Sequence, residues 1–123
     1  MATILVCDDR QALRDLVRAA LAEGDHDIVE ARDGAEGVRM AKEILPDVVV
    51  LDMVLPDRSG LDVLAELRGY AALANTRVIL CTVHNVLLGG DGAEGLGADR
   101  YLAKPFSPRE LVALLAEIVG TRS

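Results

Sequence analysis

Residues 47–60, DVVVLDMVLPDRSG, limit the fold of this chain more than any other stretch. Val48, Val49, Val50 and Leu51, with Met53 just beyond, surround a single carboxylate, Asp52. An unbroken run rich in β-branched residues describes a strand buried on both faces, which requires a sheet with helices on each side. Pro56 interrupts the run, and Ser59-Gly60 opens another element. Asp52 therefore belongs at the carboxyl end of a central strand. In open α/β sheets that edge is where ligands bind. The plain alternative is an aspartate that caps or turns the chain. A carboxylate inside an apolar run carries a desolvation cost, and that cost favours a chemical role.

The rest of the chain supplies the sheet and helices that such a strand needs. Thr3–Cys7 is a short apolar strand ending at Asp8-Asp9. Leu13, Leu16, Val17, Ala20 and Leu21 recur at helical spacing, and Gly24 closes that helix. Residues 26–31 form a second strand around Ile28 and Val29. Asp33 with Glu36 has the form of a capping box, and the helix it opens stops before Pro46. Ser59 and Asp62 can cap a third helix through Leu61, Leu64, Ala65 and Leu67. Residues 76–82 and 100–103 read as the fourth and fifth strands. Ser107-Pro108-Arg109-Glu110 is a helix start with an N-cap, proline in the first turn and glutamate at the third position. Leu111, Leu114, Leu115 and Ile118 line one face of that last helix.

The expected fold is an α/β, (βα)5 doubly wound parallel five-stranded sheet, because each return strand is reached through a helix. Residues 85–96 fit least well. Their slot demands a fourth helix, yet they carry Gly89, Gly90, Gly92 and Gly95. Each interior glycine costs roughly 1 kcal/mol against alanine, so this segment is expected to be the soft, responsive element of the domain.

A chain of 123 residues is expected to be one domain, and its 51% apolar content is enough for a core built almost entirely from aliphatic side chains. The net charge of -7 argues against a direct nucleic-acid or membrane surface. No apolar run approaches the ~18 residues of a membrane span, and the start MATILVCDD reads as a strand rather than a signal peptide. Cys7 and Cys81 sit in apolar strands without metal-type spacing and are read as small core residues in a reducing cytoplasm. Little follows the last helix, so residues 1–123 are expected to hold no effector domain. The chain is then either free-standing or excised from a larger regulator.

Strand ends converge in such a sheet. Asp8-Asp9, Asp52, Thr82 and Lys104 should become neighbours there. Two carboxylates about 4 Å apart repel by about 4 kcal/mol at an effective dielectric near 20. A hard divalent cation relieves that repulsion, and a few carboxylates with open water positions suit Mg²⁺. Asp9 can also cap the first helix.

The acidic pair, the segment from Asp52 through Pro56 to Gly60, Thr82, the Gly97-Ala98-Asp99 turn and the Tyr101–Phe106 stretch with Lys104-Pro105 occur here in one order. In this order the chain resembles the receiver domain of two-component response regulators, from Thr3 to Val119. The resemblance implies the flavodoxin-like strand order 2-1-3-4-5. It implies that Asp52 accepts a phosphoryl group from a sensor histidine kinase or phosphotransfer protein. Mg²⁺ would be held by Asp9, Asp52 and the backbone carbonyl of Val54, with Asp8 acting through water. Lys104 would meet the phosphoryl oxygens as a cation, and Thr82 would donate a hydrogen bond. Thr82 and Tyr101 would form the switch, and Lys104-Pro105 would be a cis peptide. The fourth helix, fifth strand and fifth helix would then form the surface read by a downstream protein, an effector domain or a second copy. Such a domain is not an enzyme with turnover; it assists only its own phosphorylation and dephosphorylation.

Some positions depart from the family pattern. Arg10 follows the acidic pair and is expected to point to solvent. Val83 is larger than usual at its position. Val54 and His84 occupy the two variable positions that relatives use to tune dephosphorylation, with His84 read as a bystander. Other readings fit less well. A haloacid-dehalogenase-type phosphatase needs a second aspartate where Val54 stands. Flavin-type cofactor binding lacks a phosphate-cradling glycine loop after the first strand. A phosphorylation-independent pseudo-receiver, acting purely as a protein-binding module, would be favoured by loss of the acids or the lysine, and all are present.

Overall fold

The computed structural model describes residues 2–22, 24, 26–83 and 97–120. Its elements are β1 (Thr3–Cys7), α1 (Gln11–Ala20), β2 (Asp27–Ala31), α2 (Gly34–Ile44), β3 (Val48–Asp52), α3 (Gly60–Arg68), a 3-10 turn (Ala71–Leu73), β4 (Arg77–Val83), β5 (Arg100–Lys104) and α4 (Pro108–Gly120). The five strands are all parallel, in the order β2-β1-β3-β4-β5. Here α4 is the fifth helix expected from the sequence. The expected fourth, residues 85–96 with its four glycines, lies outside the described residues, as does His84.

Alternation along the strands builds two cores. Leu5, Cys7, Val49, Leu51, Val78 and Leu80 face α2 and α3, where Val38, Ala41, Val63, Leu64 and Leu67 meet them. Ile4, Val6, Val48, Val50, Ile79 and Cys81 face α1 and α4, against Val17, Leu21, Leu111, Leu115 and Ile118. Successive side chains of a strand point to opposite faces, so an apolar run is needed where both faces are covered. Every residue of β3 is buried. That places Asp52 at the end of the most enclosed strand.

The local helix starts follow the sequence closely. Ser59 Oγ accepts from the Asp62 amide at 3.2 Å. Ser107 and Glu110 cap one another at 3.1 and 3.0 Å. Asp33 accepts from the Glu36 amide at 2.8 Å, but Glu36 reaches back to the Arg32 amide, one residue before the cap. The first helix departs from expectation. Its N-cap is Arg10, whose side chain makes no capping bond, and Asp9 does not cap it. Asp8 instead turns its buried carboxylate onto the Arg10 amide at 2.9 Å. The chain leaving β1 needs two residues to clear the sheet edge, and this moves the helix start past the acidic pair.

A buried arginine ties α1 to the sheet. Arg14 is 5% exposed. It donates to the Asp8 carbonyl at 2.7 Å, to Gln11 Oε1 at 2.7 Å and to Glu30 Oε1 at 2.8 Å. Arg18 bonds the same Glu30 carboxylate. The Arg18 hydrogen bond, reinforced by Arg14 and opposed by burial, holds the Glu30 carboxyl below its ordinary range. A lowered pKa means stability that is complete above the unfolded value, about 4.3, and lost as pH falls through the folded one. Glu30→Gln is predicted to cost about 1–2 kcal/mol at neutral pH. This is less than the 3–5 of a broken buried pair, because Glu30 keeps contact with water. It should also flatten the loss of stability below about pH 4. Urea midpoints at neutral and acid pH measure both effects, and midpoints equal to wild type at both would reject the prediction.

Candidate functional site

Three strand ends deliver three carboxylates and an ammonium to one sheet edge. Asp8 follows β1 and Asp52 closes β3; both are buried, while Asp9 is exposed. Each of the three offers a carboxylate oxygen within 4.8 Å of the others. Lys104, the last residue of β5, places Nζ 2.7 Å from Asp52 Oδ1 and 3.3 Å from Asp8 Oδ2. Parallel pairing explains the convergence. Asp52 lies opposite Cys81 on β4, and Thr82, the next residue, lies opposite Ala103 on β5. Thr82 is 1% exposed. Asp9, Asp52, Val54, Thr82 and Lys104 line an open pocket of about 350 Å³, with Arg10 at its rim.

Electrostatics set the character of the pocket. Burial pushes the Asp52 carboxyl above its ordinary pKa, and the Asp8 charge pushes the same way. The Lys104 hydrogen bond opposes both, with a smaller contribution from the Val54 amide. Three carboxylates face one half-buried ammonium, so negative charge is in excess. Cys7 and Cys81 are pushed up to about 12, first by burial, and stay as neutral thiols. Neither is a reactive thiolate.

The remaining expected positions fall as follows. Val54 stands 69% exposed beside the pocket, and its loop is closed by an isolated bridge to Ser59. Tyr101 is half-buried, opposite Leu80 in register, with its ring packed against the core beneath α2 and α3 and its hydroxyl oxygen out of solvent. Lys104-Pro105 is a cis peptide. Arg10 is mostly in solvent, as expected, but its Nε also lies 3.6 Å from Asp8 Oδ1. The side chain of Val83 lies outside what is described. A second, apolar groove of about 510 Å³ runs alongside, lined by Leu13, Leu16, Pro105 and Phe106, and shares Arg10 and Lys104 with the pocket.

Sequence reasoning missed three contributors. Arg14 grips the Asp8 carbonyl, and its only signal was a place one turn before Val17 on the apolar face of α1. Asp57 accepts from the first two amides of α2, a contact without any local signal. Gly60 was read as a helix opener. It does open α3, and it is also a point of close approach, because a Cβ there would lie 2.2 Å from the Asp52 carbonyl oxygen.

Comparison with known proteins agrees with this geometry. The family model of the response regulator receiver domain matches residues 4–116. The probable transcriptional regulatory protein TcrX of Mycobacterium tuberculosis is 40% identical over 119 residues, covering 95% of this chain and 49% of that protein. The chemotaxis protein CheY of Halobacterium salinarum is 33% identical over 116 residues, covering 94% of this chain and 95% of that one. The chain thus spans about half the length of relatives such as TcrX. Among solved structures, the receiver domain of the Francisella response regulator 1452 superposes with a TM-score of 0.88 at 27% identity, covering 100% of both chains. With most of its length matched in sequence and all of it in fold, the chain belongs to the response regulator receiver domain family.

Proposed function

We propose that this receiver domain accepts a phosphoryl group on Asp52 and uses the resulting charge to switch a partner-binding surface. The observation that carries this is the 2.7 Å contact of Lys104 with Asp52 beside three converging carboxylates. The donor set fits Mg²⁺: all oxygen, negative in excess, and open to water on the Asp9 side. Asp8, Asp9, Asp52 and the Val54 carbonyl would hold the ion. Once bound, it would supply positive charge to the phosphoryl oxygens.

The chain's own residues do the rest. Asp52 attacks phosphorus through a carboxylate oxygen; the bond from phosphorus to the donor's imidazole nitrogen or acyl oxygen breaks, and the leaving group takes its electron pair. Lys104 orients Asp52 before transfer and then faces the phosphoryl oxygens. Thr82 offers a hydroxyl donor at the same pocket. Movement of Thr82 toward the new phosphoryl group, with Tyr101 already turned against the core, is the proposed switch. The proposed donors are a sensor histidine kinase or phosphotransfer protein. The proposed readers are a downstream protein, an effector domain or a second copy, through the expected fourth helix, β5 and α4. The cytoplasm is the proposed compartment; among the described residues no helix is long and apolar enough to cross a membrane. A pure binding module is not favoured, because it has no use for Lys104 held between two buried acids.

Acetyl phosphate with Mg²⁺ should add one alkali-labile phosphoryl group per chain by intact mass. A chelator should prevent the addition. No adduct, or one indifferent to chelation, would remove the proposal.

A further inference from the structure

The loop between β3 and α3 is fastened at three levels. At its base the Gly60 amide donates to the Met53 carbonyl at 2.6 Å. Midway, Val54 and Ser59 form their isolated bridge, and the Leu55 amide donates to the Arg58 carbonyl at 3.3 Å. At its tip Asp57 crosses to another element. Its carboxylate accepts from the Gly34 amide at 2.7 Å and the Ala35 amide at 2.9 Å, the first two residues of α2. Those amides have no partner within their own helix and carry the positive end of its dipole. The Gly34 amide first, then that of Ala35, draws the Asp57 carboxyl below its ordinary range. Arg58 continues the crossing. Its stem covers Gly34, where a Cβ would meet it at 2.5 Å, and its guanidinium bonds Glu66 on α3.

Helix α2 has its own cap in Asp33, which takes the Glu36 amide. Asp57 is therefore not needed to start the helix. What it does is hydrogen-bond the loop tip to that helix. We propose that Asp57 is a positioning residue, anchoring the loop to α2 so that the backbone of Val54 stays turned toward the acidic pocket. The inference rests on the reading of the site given above, in which the Val54 carbonyl joins Asp8, Asp9 and Asp52 around Mg²⁺. It adds a residue that touches neither metal nor phosphoryl group and acts only through the backbone of another. Groups that orient a ligand from outside the ligand shell are worth about tenfold or more in metal affinity.

Calorimetric Mg²⁺ titration and amide exchange on the whole chain test this with three variants. Asp57→Ala should weaken Mg²⁺ binding about tenfold and speed exchange of amides 54–59. Asp57→Asn, which keeps one carbonyl acceptor, should recover part of both. Asp33→Ala removes the other cap from the same helix end without touching the loop, and it should leave Mg²⁺ affinity within about twofold of wild type. Wild-type affinity in Asp57→Ala, or equal weakening in Asp33→Ala, would overturn the proposal. If the wild-type chain takes up no Mg²⁺, the reading of the site falls and amide exchange decides the anchor alone. Faster exchange of 54–59 in Asp57→Ala but not Asp33→Ala would sustain it, and unchanged exchange would overturn it.

Discussion

Asp52→Asn should abolish phosphorylation and at the same time make the metal-free domain more stable. The amide keeps the shape of the side chain but has no anionic oxygen to attack phosphorus, so the labelled fraction should fall to background. The stability gain follows from the charges. Burial and the Asp8 carboxylate raise the Asp52 pKa above its unfolded value of about 3.9. A carboxyl with a raised folded pKa contributes fully to stability below the unfolded value, and that contribution is lost as pH rises through the folded value. At neutral pH the ionised Asp52 is therefore a cost to the fold. Asparagine removes it. Lys104 loses the charge of its 2.7 Å partner but keeps that of Asp8 at 3.3 Å, and the loss offsets part of the gain. The net should be on the order of 1 kcal/mol in chelator. It should shrink below about pH 4, where wild-type Asp52 is protonated as well. Urea unfolding at neutral and acid pH, with intact mass after acetyl phosphate treatment, measures both halves. Residual labelling would refute the first half, and a less stable variant in chelator the second. A purely structural Asp52 predicts the opposite sign of stability change.

Among the described glycines, Gly60→Ala should be the most damaging single added methyl. Its Cβ would sit 2.2 Å from the Asp52 carbonyl oxygen, 2.8 Å from Met53 Cα and 3.0 Å from the Asp52 carbonyl carbon. All three are backbone atoms, so no rotamer change relieves the contact. Either α3 retreats and breaks the 2.6 Å bond from the Gly60 amide to Met53, or the end of β3 shifts. Overpacking costs typically 1–3 kcal/mol when side chains can adjust; with backbone on both sides, about 3 kcal/mol or more is expected. Displacing Asp52 should also slow labelling by roughly a hundredfold, the loss that a 1 Å misplacement can cause. Gly69→Ala supplies the control. A Cβ there meets nothing closer than 3.5 Å, and the residue already has a helical backbone at φ -80 and ψ -9. That variant should match or exceed wild type. Equal urea midpoints for Gly60→Ala and wild type would refute the clash.

Relief of the same clash explains why a segment read as a helix opener carries glycine at its last position. The signal that marks Gly60 in the sequence is the turn-forming character of Ser59-Gly60; the reason for glycine lies eight residues upstream, on another element. Asp57 is a sharper case. Its partners, Gly34 and Ala35, are 23 and 22 residues away, and an exposed aspartate after a proline looks like any other turn residue.

What the sequence determined by itself was whatever depends on spacings of four residues or fewer. The valine run of β3 names a strand covered on both faces, since a run that short and that rich in β-branched residues favours a strand over a helix and leaves no polar face. Ser59 and Ser107 cap their helices as read, because a cap bonds an amide three residues away. The meeting of Asp8, Asp9, Asp52, Thr82 and Lys104 at one edge followed once those elements alternated, because parallel strands send their carboxyl ends to the same side; the strand order came from the family resemblance alone. Tertiary structure alone decided the contacts made across the fold. It buried Arg14 under β2 with Glu30, drew Arg10 partway onto Asp8, and left the first helix without the Asp9 cap. Each depends on how far the chain must travel to clear the sheet and on which helix lies beside it. Those distances are set by the packing of both cores against the strands, and no window of local sequence contains them.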